Sequence, residues 1–476
     1  MRDFPNNRGR RSNMSTKELA KAAAIRRSKN PYSFGAALKN GGPITWLSCL
    51  VFGLGNMMAG QMIKGFLYLA VELGILIYMV LPEGGFHQIS MLPSLGWLEQ
   101  GKVWNEAEGI FEYSEGHISQ LILLYGVAAC LILAVLLFVG FWSVRSGYKS
   151  LCIKKNGGHV PTFKEDCAAL LDSNIHTFLM SPPIIALAIF TVTPLIYMMA
   201  MAFTNYSKVD SHLVLFDWVG LKNFRDMLDA GGAIGREFWG VLQWTLIWAF
   251  FATFLNFFFG TIVAMIINRP GTKLKSLWRT CFCVTIAVPQ FVSLLTMRTL
   301  LQSEGFVNSF LEDMGWITES LPFFTNTTWA RVTVIVINLW VGIPYTIMQV
   351  TGILQNIPAE LYEAARIDGA NVVQQFRKIT LPYMIFVMTP QIISSFTGNI
   401  NNFNVIYLLS GGAPQSIENT AGSTDLLVTW LYKLSVDQQK YNLAAVIGIL
   451  TFIILAVVSL VTYRSSGSYK NEEGFN

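Results

Sequence analysis

Polar side chains are scarce in the apolar stretches of this 476-residue chain, and where they occur they cluster. The densest cluster runs from Gln391 to Asn404. Gln391, Ser395, Asn399 and Asn402 step by four, four and three residues, so a helix would carry them on one face. Ser394, Thr397, Asn401 and Asn404 fall on a neighbouring face. Amides and hydroxyls both donate and accept hydrogen bonds, which suits a polar solute as well as a neighbouring helix. One face could line a water-filled path while the other bonds to adjacent helices; interhelical hydrogen bonding throughout is the alternative. A second group, Asn338-x-Trp340-x-Gly342, interrupts another apolar run. An aromatic face can cover an apolar surface of a solute, and a glycine beside it leaves room. An interfacial anchor is the usual role of a membrane tryptophan, and the near-central position of Trp340 in its run weakens that reading.

Other chemistries find little support. No G-x-x-x-x-G-K-[ST] phosphate loop occurs, so the chain does not bind ATP by that route. No His-Glu-x-x-His occurs, and five scattered histidines give a metal enzyme little to work with. Cys281-x-Cys283 has the wrong spacing for zinc, and no nucleophile–base constellation stands out. The glycines of 45–60 (Gly53, Gly55, Gly60) follow no strand, so close helix packing suits them better than nucleotide binding.

These residues must be positioned by membrane helices. The chain is 53% hydrophobic and only 13% charged, with a mean hydropathy of +0.45, against roughly 25% charge in soluble domains. Apolar runs of bilayer-spanning length recur, and their lack of strand-like alternation excludes a barrel. The fold class expected is an all-α polytopic membrane protein of about eight transmembrane helices. Spans are expected near 62–82, 119–144, 177–203, 238–268, 280–301, 329–354, 383–409 and 442–463. The stretch 45–60 is apolar but short and glycine-weakened, and reads as interfacial or re-entrant. Lys and Arg set the orientation. Residues 1–44 form a basic tail (Arg8, Arg10, Arg11, Lys17, Lys21, Arg26, Arg27, Lys29) suited to a lipid-facing cytoplasmic side; without interleaved aromatics it does not suit nucleic acid. Loops 145–176 and 269–279 are basic, while 83–118 carries six glutamates against Lys102. Both termini, including the tail 466–476, and the loop 355–382 therefore fall inside the cell, in a plasma membrane crossed several times.

That inner loop reads as helix–turn–helix. Asn356 can cap the start, Pro358 suits the first turn, and Glu360 and Glu363 suit the positive end of the helix dipole. Gly369 suits a left-handed C-terminal cap. A helix of about ten residues is marginal alone in water, so something must hold it. Leu361, Ala364, Ala365 and Asp368 lie along one side, and the paired alanines make a low surface for close approach. An amphipathic loop resting on the bilayer is the plainer alternative.

Glu-Ala-Ala, three residues, Gly, nine residues, Ile, one residue, Leu-Pro (Glu363, Ala364, Ala365, Gly369, Ile379, Leu381, Pro382) resembles the EAA loop of permease subunits of ATP-binding-cassette (ABC) importers, and Asp368-Gly369-Ala370 resembles their carbohydrate-uptake branch. "AFTNYS" (202–207), "NLWVGIPY" (338–345), "SSFTGNINNFNVIYLLSGGAP" (394–414) and "STDLLVTWLYK" (423–433) resemble, in the same order, the MalF-type permeases for maltose and maltodextrin. The likeness covers about 177–465, with the N-terminal third, including the membrane region 45–176, too generic to judge. It implies a type I ABC permease core over 177–465 and no cofactor in this chain, ATP and Mg²⁺ being bound by a partner. It implies a coupling helix near 358–368 acting through Glu363, Ala364, Ala365, Asp368 and Gly369. It carries over Asn338, Trp340, Gly342, Ser395, Asn399 and Asn402 as a substrate path. The implied partners are a second, MalG-like permease subunit, two ATPase subunits, an extracytoplasmic sugar-binding protein, an oligosaccharide and membrane lipid, with no nucleic acid. The family's type member inserts a large outer domain after its counterpart of "AFTNYS"; here 204–237 is only a short loop, so a binding protein has less of this subunit to recognise. A permease for a polyol or another oligosaccharide, or an ion-coupled carrier, is the alternative function.

Overall fold

The computed structural model describes residues 31–99, 102–106, 109–113, 116–207, 215–269 and 271–465. The eight basic residues of the N-terminal tail named above and the tail 466–476 lie outside the described residues. Contacts divide the chain into one unit of Met1–Ala200 with Leu213–Trp218, and another of Met201–His212 with Val219–Asn476.

In the first unit the short helices α1 (Phe34–Asn40), α2 (Pro43–Leu47) and α3 (Leu54–Ala59) precede the spanning helix α4 (Met62–Val80). α5 (Gly85–Met91), a hairpin of β1 (Lys102–Asn105) and β2 (Ile110–Tyr113), α6 (Ser119–Lys155), α7 (Phe163–Leu171) and the spanning α8 (Ile175–Met201) follow. The antiparallel hairpin pairs Lys102 with Tyr113, and it departs from an all-helical expectation. α6 also runs on past 144, carrying the first turns of the expected inner loop as helix.

The stretch 45–60 is broken between α2 and α3, and two of its backbone N–H groups are answered by side chains of α4 and α6. Glu72 accepts the Phe52 N–H at 2.7 Å and Ser143 accepts the Gly53 N–H at 2.6 Å. Gly53 and Gly60 sit at φ of +77° and +106°, conformations that a side chain resists. Gly55 packs on Gly147 so closely that an added Cβ would stand 3.0 Å from the Gly147 Cα. The glycines thus serve packing and turning. α7 begins on a Thr162–Glu165 capping box, and Asp166 pairs with Lys64 at 2.8 Å.

The second unit contains α9 (Lys222–Leu228), α10 (Ala233–Asn268), α11 (Lys275–Ala287), α12 (Gln290–Leu300), α13 (Phe306–Asp313) and α14 (Thr327–Gln355). It continues with α15 (Ala359–Ile367), α16 (Val372–Ile400), α17 (Phe403–Val405), α18 (Leu427–Tyr432) and α19 (Tyr441–Ser465). Among the described residues, seven helices are long and apolar enough to cross a membrane, and eight spans result if α11 and α12 count as one. That pair is bent by 85°. Pro289 supplies the reason: it offers no N–H and pushes Val288 into an extended conformation, at ψ 124°.

α10 and α14 make the most extensive helix–helix contact among the described residues. A Cβ at Gly260 would lie 2.5 Å from Thr346 Cβ, and one at Gly342 would lie 2.6 Å from Asn256 Oδ1. Trp244, Trp248, Ala252, Leu294, Val334 and Leu409 build one apolar core, while Ile267, Ile347, Val350 and Met384 build a second. Past α17, the loop leading to α18 closes over a buried Lys433–Asp425 ion pair at 2.6 Å. Asp425 also accepts the Gly422 N–H and the Thr429 hydroxyl, which compensates the desolvated carboxylate.

Two expectations for the inner loop are corrected. Asn356 ends α14 rather than starting the next helix, and Pro358 is the cap residue of α15 rather than part of its first turn. The second helix of the loop is the foot of α16 itself: the chain runs through a π turn at Phe376–Thr380, past Pro382, into the span. The span also stops at Ile400, earlier than 409, because the chain breaks at Asn401–Asn402 before α17.

Candidate functional site

The sequence places polar groups on α14 and α16, and the structure adds α10. Together these helices enclose a cavity of about 310 Å³. Its polar lining comes from Thr253 and Asn256 on α10, Asn338, Tyr345, Thr346 and Gln349 on α14, and Gln391, Ser395 and Asn399 on α16. Phe257, Met388 and Ile392 supply apolar wall. No Asp, Glu, Lys, Arg or His is among the lining residues.

Of the substrate-path candidates, Asn338, Gly342, Ser395 and Asn399 come together here. Asn399 is held by its Nδ2–H on Thr253 Oγ1 at 2.9 Å, while its backbone oxygen accepts the Trp248 indole N–H at 3.1 Å. Gln391 Nε2 reaches Ser395 Oγ at 3.4 Å. Asn402 does not extend this face. The helix ends before it, and its side chain caps α17 by accepting the Val405 N–H at 3.2 Å, while its amide touches Asn399 Oδ1 at 3.3 Å. Trp340 does not line the cavity; it is 51% exposed on the surface of the chain. Helical geometry explains this: Asn338 and Gly342 are four residues apart and share a face, whereas a residue two positions on points away. The second polar face on α16 behaves as glue, with Thr397 bonded to Ser459 of α19 at 3.1 Å.

Asn256, Thr253 and Gln349 were not singled out from sequence. Gln349 was within reach, since 338, 342, 345 and 349 step by four, three and four on the face that already held Asn338. Asn256 is a lone amide in a phenylalanine-rich run and announces itself only by its neighbours across the helix pair. It is also the residue that Gly342 makes room for. Its Nδ2–H donates to Ala252 O at 2.7 Å, which leaves Oδ1 buried without a partner. Asn338 Nδ2 is likewise buried without a partner. Both residues line the cavity, but these two atoms are themselves shut off from solvent, so a hydroxyl-bearing solute meets them only when the amides turn toward it.

The second candidate region is α15, a nine-residue helix about 14 Å long that buries none of its residues. Glu363, Ala364 and Asp368 are exposed, and Ala365 is half-buried. Gly369 adopts φ +73°. Its N–H bonds to Arg366 O at 3.1 Å and that of Ala370 to Ala365 O at 2.8 Å, closing the helix with a Schellman motif. Asn371 and Gln374 then form a capping box that starts α16. One side-chain bond, Tyr362 Oη to Thr380 Oγ1 at 2.9 Å, ties α15 to the foot of α16. Ile367 is 87% exposed, and Val372 and Val373 are exposed beside it. Nine residues cannot hold a helix in water on propensity alone, and an apolar tip at its end is a surface that awaits cover.

The comparisons agree with this architecture. Residues 256–467 match the family described as binding-protein-dependent transport system inner membrane component. The chain is 33% identical over 433 residues to the galactooligosaccharides transport system permease protein GanP of Bacillus subtilis, covering 90% of this chain and 99% of that one. It is 32% identical to the maltodextrin transport system permease protein MdxF of the same organism, over 90% of this chain and 96% of the other. The maltose/maltodextrin permease protein MalF of Photorhabdus laumondii is 35% identical over 254 residues, which is 52% of this chain and 48% of that one. Among solved structures, a bacterial alginate ABC transporter in complex with a periplasmic protein that holds an alginate pentasaccharide shares the fold, with a TM-score of 0.52 at 22% identity over 62% of this chain and 94% of the other. This chain belongs to the binding-protein-dependent transport system inner membrane component family, as a multi-pass transport permease.

Proposed function

We propose that this chain is the membrane-spanning permease subunit of an ATP-driven importer of neutral oligosaccharides, of the malto- or galacto-oligosaccharide kind. The observation that carries the reading is the cavity between α10, α14 and α16. It is polar, uncharged, and keeps Asn256 Oδ1 and Asn338 Nδ2 without partners. The side-chain amides and hydroxyls of the lining suit sugar hydroxyls, and Phe257 and Met388 suit the C–H surface of a sugar ring. Relatives named for galactooligosaccharides and for maltodextrin support the substrate class.

In this reading α15 is the coupling helix. Glu363, Ala364, Ala365, Asp368 and Gly369 present it to one of two separate ATPase subunits, which bind ATP and Mg²⁺ and carry out hydrolysis. A second permease subunit completes the path on the side where Trp340 is exposed, and an extracytoplasmic binding protein delivers the sugar. Both termini lie in the cytoplasm. The ion-coupled alternative needs a free carboxylate in mid-span, and Glu72 is already committed to the Phe52 N–H. The test is uptake into proteoliposomes containing the assembled complex and its binding protein. Neutral malto- or galacto-oligosaccharides are expected to be transported and oligo-uronates rejected, because no cation lines the cavity to pay for a carboxylate's desolvation. Equal uptake of oligo-uronates would overturn the assignment.

A further inference from the structure

The second unit holds another cavity, of about 550 Å³, at the N-terminal ends of α10 and α14. Its walls include Arg236, Glu237, Trp244, Arg331, Glu418 and Asn419. The charge asymmetry of the loops puts these helix ends on the extracytoplasmic side. α10 lines both cavities: Trp244 borders this one and Ala252 the inner one, eight residues or about 12 Å apart. Between them sits Trp248, fully buried in the apolar core.

We propose that this outer cavity is a separate entry subsite for a neutral oligosaccharide, engaged before the solute reaches the inner cavity; the proposal rests on the sugar-importer reading above. Three observations carry it. The volume falls within the range of small-molecule clefts, about 300–1,000 Å³. The site is built rather than incidental. Arg331 lies over the Trp244 ring at 4.6 Å and donates from Nε to Ser423 O at 3.0 Å. Glu237 accepts the Thr420 N–H at 2.9 Å and also the Thr420 hydroxyl. Finally, its charges balance. The lining has two arginines and two glutamates, and the remaining acid, Asp425, is answered by Lys433. Such a lining attracts neither an anion nor a cation on net charge, yet its guanidinium, carboxylate and amide groups supply both donors and acceptors, which is what a polyhydroxyl chain can use. No group of three or more His, Cys, Asp or Glu able to hold a metal ion occurs among the described residues.

The experiment uses the assembled complex in lipid nanodiscs without binding protein. Saturation-transfer NMR is recorded with maltotetraose and β-1,4-galactotetraose as probes. Asn256→Leu blocks the inner cavity, with Ser395→Phe as a second inner block should the first fail to assemble. Asn419→Trp fills the outer one from an exposed loop position. The inner-blocked complex is expected to keep its sugar signal, and adding Asn419→Trp to reduce it at least fivefold. Arg236→Ala should weaken the retained signal's affinity by about tenfold, as expected for one charge-assisted hydrogen bond. Loss of all signal on blocking the inner cavity alone, or an unchanged signal with Asn419→Trp, overturns the outer subsite. Absence of sugar signal from the unmodified complex overturns it too. Uptake of the same sugars by the unmodified complex with its binding protein is scored separately: if uptake occurs and the outer signal does not, only this subsite falls, whereas no uptake removes the sugar reading itself.

Discussion

Gly342→Ala is a small change whose consequences can be worked from distances. The new methyl would stand 2.6 Å from Asn256 Oδ1, 2.7 Å from its Nδ2 and 2.8 Å from its Cγ. Comfortable contact begins near 3.5 Å, so the amide must retreat by nearly 1 Å. It is the end of a rotatable side chain, so it yields before the helix does. Moving it breaks the Nδ2–H bond to Ala252 O, at about 1 kcal/mol, and strains its rotamer by about 0.5–1.5 kcal/mol. Alanine returns up to about 1 kcal/mol as a better helix former. The net cost, about 1 kcal/mol, leaves assembly intact. The cavity fares worse, because the Asn256 amide that lines it is displaced. Losing one hydrogen bond to the solute lowers uptake efficiency roughly tenfold. Uptake into proteoliposomes, normalised to assembled complex, is the assay. The double variant Asn256→Ala/Gly342→Ala sharpens it: once the amide is gone the methyl meets nothing, so the double should transport no worse than Asn256→Ala alone. Independent, additive losses would refute the argument.

Other outcomes follow from the same geometry. Ile367→Asp places a charge on the exposed tip of α15 and should weaken the ATPase contact by about 2 kcal/mol, roughly 30-fold, while membrane insertion stays normal; co-purification of the ATPase measures it, and undiminished recovery would count against α15 as the joint. Glu363→Lys should leave the complex assembled but break the link between sugar and ATP hydrolysis, read as the loss of sugar-stimulated ATPase. Glu72→Ala orphans the buried Phe52 N–H at a cost of about 1–3 kcal/mol, so thermal unfolding should drop and 45–60 should become protease-sensitive, with uptake failing only through instability. The Thr162 N–H and His159 hold the Glu165 carboxyl below its usual range. Its capping contribution to α7 is therefore full above the ordinary carboxylate pKa of about 4.3 and lost as pH falls through the lowered value; amide exchange at the start of α7 should quicken only under those acidic conditions, and not at all in Glu165→Ala.

Much of the molecule was legible because lipid imposes a simple code. Long apolar runs became spans, and Gly369 took its left-handed cap because little else fits there. Asn338, Gly342, Ser395 and Asn399, carried over by the family resemblance, do line one cavity, and the polar residues among them stand out in sequence because such residues are rare in a span. What periodicity could not show was where it stops. Asn402 looked continuous with Asn399 on paper, but the chain turns after Ile400 and spends Asn402 on a cap. Trp340 was judged by its residue type and not by its angle around α14. Asn256 lay hidden because its partner, Gly342, is silent in sequence and speaks only when two helices touch. The 85° bend in α11–α12 was signalled by Pro289, yet a proline in a span fits a gentle kink as well as a sharp one.

The central claim is that this chain carries a sugar path worked by an ATPase it does not contain. The most direct measurement is ATP hydrolysis by the purified complex in proteoliposomes, with binding protein added either empty or loaded with a malto- or galacto-oligosaccharide. The account predicts that loaded binding protein stimulates hydrolysis in step with sugar uptake, and that Glu363→Lys abolishes the stimulation. Sugar uptake by this chain alone, without ATPase or ATP, would contradict it.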